Sequence, residues 1–136
     1  MKNLGFIFLF SVLSFIACDS ADNCICTEEY APVCGDNGKE YPNACHASCD
    51  NQDFTIGFCT REYSLMVRYT GDVSVDGCGY LLEHDNQSYH ADNLDSTLME
   101  DSLYIYAKYQ PLFDYFTCGL GAEQYQKVEI DTAWAL

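Results

Sequence analysis

The sequence predicts two small modules in tandem: a disulfide-rich α+β module over residues 18–60 and a small antiparallel all-β domain, barrel- or OB-like, over residues 61–136. Three observations carry this. Six of the nine cysteines crowd between Cys24 and Cys59, and a segment of about 40 residues is too short to be held by an apolar core alone. Nine of the eleven tyrosines lie beyond Cys59, so composition changes abruptly near Thr60-Arg61-Glu62. Beyond that point apolar residues recur every second position, the period of a strand.

The N-terminus comes first. Met1-Lys2-Asn3 is a short positive start, and Leu4 to Ala17 is an apolar run without charge. That length fits the core of a signal peptide over residues 1–17, short of the roughly 18 apolar residues that a membrane helix needs. Phe15-Ile16-Ala17-Cys18 resembles a bacterial lipobox, although that family prefers leucine where Phe15 stands. The resemblance implies lipidation of Cys18, so that the anchor alone touches the bilayer and the chain sits in the cell envelope or at the cell surface. Ordinary cleavage near Ala17 or Ala21 is the other reading, giving a secreted chain. The cysteine count favours the lipid, because setting Cys18 aside turns an odd nine into eight that can pair.

Charge narrows the partners. Residues 19–60 hold eight Asp or Glu against one Lys, and residues 61–136 hold thirteen against four Lys or Arg. Such a surface repels nucleic-acid phosphates and anionic headgroups, so no nucleic-acid partner is expected.

Within the first module the cysteine spacing has a geometric reading. Cys24 and Cys26, two apart on an extended segment, share a face about 6.5 Å apart. Cys45 and Cys49, four apart on a helix, share a face at about 6 Å, with Asn43 placed as N-cap. Two parallel bridges between strand and helix follow, leaving Cys34 to join Cys59; two pairings of the four remain open. Asn37-Gly38 is a strong hairpin signal, pointing to a two-residue turn of the type with positive φ at both positions. Phe54 to Cys59 reads as a further strand.

The run from Cys26 through Thr27-Glu28-Glu29-Tyr30-Ala31-Pro32-Val33-Cys34 to Cys45 resembles the Kazal-type serine-protease inhibitors. Seven residues separate the second and third cysteines and ten the third and fourth, and Pro32, Val33, Gly35, Tyr41 and Asn43 fall at the family's positions. The single residue between Cys24 and Cys26 matches the short, non-classical members. The resemblance implies the pairings Cys24–Cys49, Cys26–Cys45 and Cys34–Cys59. It implies a substrate-like reactive loop, Thr27, Glu28, Glu29 and Tyr30, with Glu28 entering the protease's specificity pocket and Glu28–Glu29 as the bond at risk. Thr27 and Glu29 match family members whose side chains hydrogen-bond across that bond. Asn43 and Pro32 would support the loop. The partner implied is a serine protease, glutamate-selective or of broad specificity, because a trypsin-like pocket and an apolar pocket both oppose a buried carboxylate. The alternative is a non-inhibitory envelope binding or adhesion lipoprotein that keeps the fold as a scaffold.

In the second module Tyr63, Leu65, Val67 and Tyr69 alternate, as do Val73 and Val75, then Cys78, Tyr80 and Leu82, then Leu103, Ile105 and Ala107, then Val128 and Ile130. Turns at Thr70-Gly71-Asp72, Asp76-Gly77 and Gly119-Leu120-Gly121 divide them, and Cys78–Cys118 is the expected bridge. The Gly77-Cys78-Gly79-Tyr80 and Cys118-Gly119 motifs resemble a small β domain of bacterial lipoproteins. No chemistry is expected here. His84 and His90 lie six apart across a polar loop, a poor metal spacing. Asp92, Asp95, Glu100 and Asp101 lack the glycine-centred spacing of a calcium loop. Asn86-Gln87-Ser88 is a glycosylation sequon only in a eukaryotic secretory route. No nucleophile–base arrangement stands out, so neither metal, cofactor nor enzymatic activity is expected.

Overall fold

The computed structural model describes residues 24–136; the expected signal segment 1–17 and Cys18, the expected lipidation site, lie outside the described residues. Among the described residues, no helix is long and apolar enough to cross a membrane.

The first module is a three-stranded antiparallel sheet carrying one helix. Strands β1 (Val33–Gly35), β2 (Glu40–Tyr41) and β3 (Phe54–Ile56) lie in the order β2-β1-β3, and α1 (Ala44–Cys49) packs beside them. Six residues do not hold a helix in water by themselves. Asn43 caps this one, accepting the backbone N–H of His46 at 3.2 Å. Val33, Tyr41 and Ala47 form the buried apolar cluster under the helix, with Ala44 packed against it. Covalent bridges supply what this core lacks: Cys24–Cys49, Cys26–Cys45 and Cys34–Cys59.

The β1–β2 connection departs from the expected two-residue turn. Only Gly38 has positive φ there, at 74°, and Gly38 donates to the Gly35 carbonyl while Gly35 donates to that of Lys39. This is a three-residue loop, Asp36-Asn37-Gly38, with glycine in the left-handed position. Asn37 is occupied otherwise: its Oδ1 accepts from Lys39 N–H and its Nδ2 donates to the Tyr41 hydroxyl. The strand expected over Phe54 to Cys59 ends at Ile56, where Gly57 turns with φ 109°.

The second module is a closed five-stranded barrel. Strands β4 (Arg61–Tyr69), β5 (Tyr80–His84), β6 (Gln87–His90), β7 (Leu103–Cys118) and β8 (Glu123–Ala135) close in the order β4-β5-β6-β8-β7. Against the expectation of a wholly antiparallel domain, β6 and β8 pair in parallel, because the long β6–β7 connection carries the chain across the barrel before the β7–β8 hairpin; the other pairs are antiparallel. That crossover gives the OB-type arrangement, and closure gives each of the five strands a hydrogen-bonded neighbour on both sides. Leu65, Val67, Leu82, Ile105, Ala107, Tyr109 and Val128 point inward at alternate positions, and the β6–β7 connection adds Ala91, Leu94 and Leu98. Leu81 faces the other way, into a second cluster with the Cys78–Cys118 bridge, Phe116 and Tyr125. The β7–β8 hairpin outruns its neighbours, with register shifts at Lys108/Tyr109 and Pro111/Tyr115. A proline is tolerated at such an irregularity, where a ladder bond is already missing.

Two elements differ from expectation. Val73–Val75 is a single 3-10 turn rather than a strand, with the two valines 57% and 73% exposed. Asp72 redirects the chain there: its carboxylate accepts from both the backbone and the hydroxyl of Ser74. The fifth strand is instead β6, whose only buried residue is Tyr89. It follows a two-residue turn, Asp85-Asn86, with φ of 47° and 64° at both positions, and His84 pairs with Gln87 across it. The turn anticipated at Asn37-Gly38 thus occurs here.

Tyr109 lies at the centre of the barrel core, and its hydroxyl has no hydrogen-bond partner among the described residues. Burial pushes its ionisation well above the ordinary tyrosine range. The folded state therefore holds this proton more tightly than the unfolded chain. Its contribution to stability is therefore complete below pH of about 10 and is lost as pH rises further. Tyr109→Phe should stabilise the barrel by about 1 kcal/mol and flatten its alkaline unfolding limb, as followed by circular dichroism against pH. A destabilised phenylalanine variant would mean that the hydroxyl has a partner.

Candidate functional site

The segment Thr27 to Val33 leaves the bridged Cys26 and arrives at the bridged Cys34 without regular structure until Val33. Its far half is tied down by backbone bonds. Ala31 donates to the Pro42 carbonyl at 2.9 Å, and Gly57 donates to that of Pro32 at 3.0 Å. Pro32 is fully buried. Thr27, Glu28, Glu29 and Tyr30 all stand exposed, Tyr30 at 69%, so its ring does not pack against the module.

Asn43 organises the near half. Its Nδ2 donates to the Thr27 carbonyl at 2.9 Å and to the Glu29 carbonyl at 2.8 Å. These two carbonyls flank the Glu28–Glu29 peptide bond, so one carboxamide clasps the chain on either side of it. Asn43 is only 6% exposed, and each of its side-chain polar atoms is satisfied, as a buried amide requires. Among the described residues no hydrogen bond joins the Thr27 and Glu29 side chains; Asn43 spans the bond instead. Asn43→Ala removes the cap of α1 and both loop contacts, and should cost about 1–3 kcal/mol in chemical denaturation of the module.

Other residues around the loop were not singled out by spacing. The imidazole Nδ1 of His46 meets Asn43 Oδ1 at 2.9 Å. A shallow groove behind the loop is walled by Thr27, Glu29, Ala31, Val33, Phe54 and Ile56. On the side of the module that leads to the barrel, Arg61 pairs with Glu40 at 3.4 Å and Gln110 donates to the Phe58 carbonyl at 2.9 Å. The Phe58 and Phe113 rings lie 4.8 Å apart. Such contacts join residues far apart in sequence, and no local pattern announces them. Lys39 pairs with the exposed Asp50 and holds its carboxyl below the usual range.

Neither histidine of the barrel belongs to a shared site. His84 stacks on Tyr63 and His90 on Phe116, and each also meets an adjacent aspartate, Asp85 or Asp92. The sulfurs of Cys24, Cys26, Cys45 and Cys49 all lie within 4.8 Å of one another. Bridged in two disulfides, they present no thiolate to a metal. What the arrangement can do chemically is display an extended peptide, pre-ordered from both ends and from behind.

Residues 21–60 match the Kazal-type serine protease inhibitor domain family. Over 47 residues the chain is 45% identical to a turripeptide OL11-like protein of Lophiotoma albina, covering 35% of this chain and 89% of that one. The chain belongs to the Kazal-type serine protease inhibitor domain family. The Kazal module is also 50% identical over 36 residues to turripeptide Ici9.1 of Iotyrris cingulifera, covering 24% of this chain and 77% of that peptide. A third relative is the reversion-inducing cysteine-rich protein with Kazal motifs of Gallus gallus, 50% identical over 40 residues. That match takes in 26% of this chain but only 4% of the relative's length. No solved structure matches the chain. The family match ends at residue 60, before the barrel begins. The Kazal-type domain is an inhibitor family and not an enzyme family; its match leaves the barrel's role unassigned.

Proposed function

We propose that the chain is an exported Kazal inhibitor of a serine protease, with Thr27 to Tyr30 as the reactive loop and Glu28 as the residue that fills the specificity pocket. The observation that carries this reading is the Asn43 clasp on the two carbonyls that flank Glu28–Glu29. A protease binding a free peptide must order it; this loop has lost that freedom beforehand, to Asn43 and to the bridges. If the bond is cut, both new ends stay tethered, so hydrolysis does not release them. Glu28 directs the loop toward a glutamate-selective protease or one of broad specificity, since an apolar pocket would strip water from its charge. The four disulfides suit an oxidising compartment outside the cytosol.

The domain limits proposed are a signal peptide at 1–17, the Kazal module at 18–60 and the barrel at 61–136, with the barrel serving as stalk or partner-binding unit. Lipidation of Cys18 would hold the chain on the envelope. Palmitate labelling tests that anchor, and an unlabelled chain with no precursor accumulation under globomycin removes it. Inhibition is tested on residues 19–136 with a panel of serine proteases that includes a glutamyl endopeptidase. Submicromolar inhibition of that enzyme is expected, with trypsin unaffected. Silence across the whole panel would leave the non-inhibitory scaffold as the better reading.

A further inference from the structure

We infer that His46 is a positioning residue for the loop, acting through Asn43; this rests on the loop reading above. A carboxamide has two ends of opposite character, and the clasp needs the –NH2 end to face the loop. Two donors on α1 enforce that orientation. The backbone N–H of His46 reaches Asn43 Oδ1 at 3.2 Å, and the ring Nδ1 of the same residue reaches it at 2.9 Å.

The second contact fixes the imidazole as well. Asn43 Oδ1 can only accept, so Nδ1 must carry the hydrogen; its lone pair at that distance would repel the oxygen. The neutral ring is therefore held as the Nδ1–H tautomer, with Nε2 left as the acceptor. With Oδ1 occupied by two donors, both Nδ2 hydrogens are directed to the carbonyls of Thr27 and Glu29. His46 also lines one recess together with Thr27, Glu28, Glu29 and Pro42. Backbone capping alone would satisfy the helix, since that bond survives any substitution at position 46 except proline. The ring's bond adds a function for the loop rather than for the helix.

The test is run on residues 19–136. Long-range proton–nitrogen NMR at about pH 8.5, where an ordinary imidazole is neutral, should show Nδ1 of His46 as the protonated nitrogen. An Nε2–H tautomer would overturn the inference. Two uncharged variants separate the roles: His46→Gln keeps a donor of similar reach, and His46→Leu removes it. The Asn43 carboxamide hydrogens should exchange with solvent about tenfold faster in the leucine variant, a change of about 1.4 kcal/mol, and near the original rate in the glutamine variant. Both variants should melt within about 3 °C of the parent, because the cap is intact. Equal exchange in the leucine variant and the parent sinks the idea. Cleavage by a glutamyl endopeptidase at Glu28–Glu29 should follow the same order. If no protease engages the parent chain, the proposed function fails, while the tautomer and exchange results still decide the role of His46.

Discussion

Replacing Glu28 with lysine is expected to make trypsin bind the chain at least about a thousandfold more tightly, roughly 4 kcal/mol. The bridges, the Asn43 clasp and the buried Pro32 order the loop without using the Glu28 side chain, which stands exposed. Exchanging it should therefore leave the loop in place while replacing a like-charge clash in a trypsin-like pocket with an ion pair. Inhibition constants for trypsin, measured on parent and variant, read the change directly. A lysine variant that folds normally but stays silent toward trypsin would mean that the loop is not displayed as a substrate, and the scaffold reading would replace the inhibitor.

The second large effect concerns the bridges. Cys26→Ala combined with Cys45→Ala opens a loop spanning a sequence separation of 19 residues, and closing a loop of that size is worth roughly 3 kcal/mol in the chain-entropy account. The Kazal module has little to set against that loss. Its apolar cluster is Val33, Tyr41 and Ala47, and its helix is a single turn and a half. The barrel core, with Leu65, Leu82, Ile105, Tyr109 and Val128, does not depend on this bridge. Hydrogen exchange read by mass spectrometry should show residues 24–59 losing protection while strands β4, β7 and β8 keep theirs. Full protection of the Kazal module in the double variant would show that its packing suffices without the bridge.

What could be read from the sequence was what short-range spacing encodes. The interval of four between Cys45 and Cys49 marked α1, and Asn43 one position before Ala44 marked its cap. Alternation marked β4 through Leu65 and Val67 and β7 through Ile105 and Ala107, because one face of each strand meets a core. Hidden parts obeyed other rules. Strand β6 has four residues and one buried side chain, too little for a period to show. Val73 and Val75 had the right period but lost to the Asp72–Ser74 bonds that turn the chain. At the loop, residue types gave Glu28 and Asn43, but the contact of His46 with Asn43 depends on a ring orientation that no spacing specifies. The junction formed by Gln110 and Phe58 joins positions 52 apart and emerges only after both modules have folded.

The most direct measurement follows the Glu28–Glu29 bond itself during prolonged incubation with a glutamyl endopeptidase, by mass spectrometry with and without reductant. The expected result is slow, single-site cleavage that adds one water, leaves the fragments joined until reduction, and levels off as a mixture that still inhibits. Rapid, continuing breakdown with loss of inhibition would show an ordinary substrate, and the rigid-loop account would be wrong.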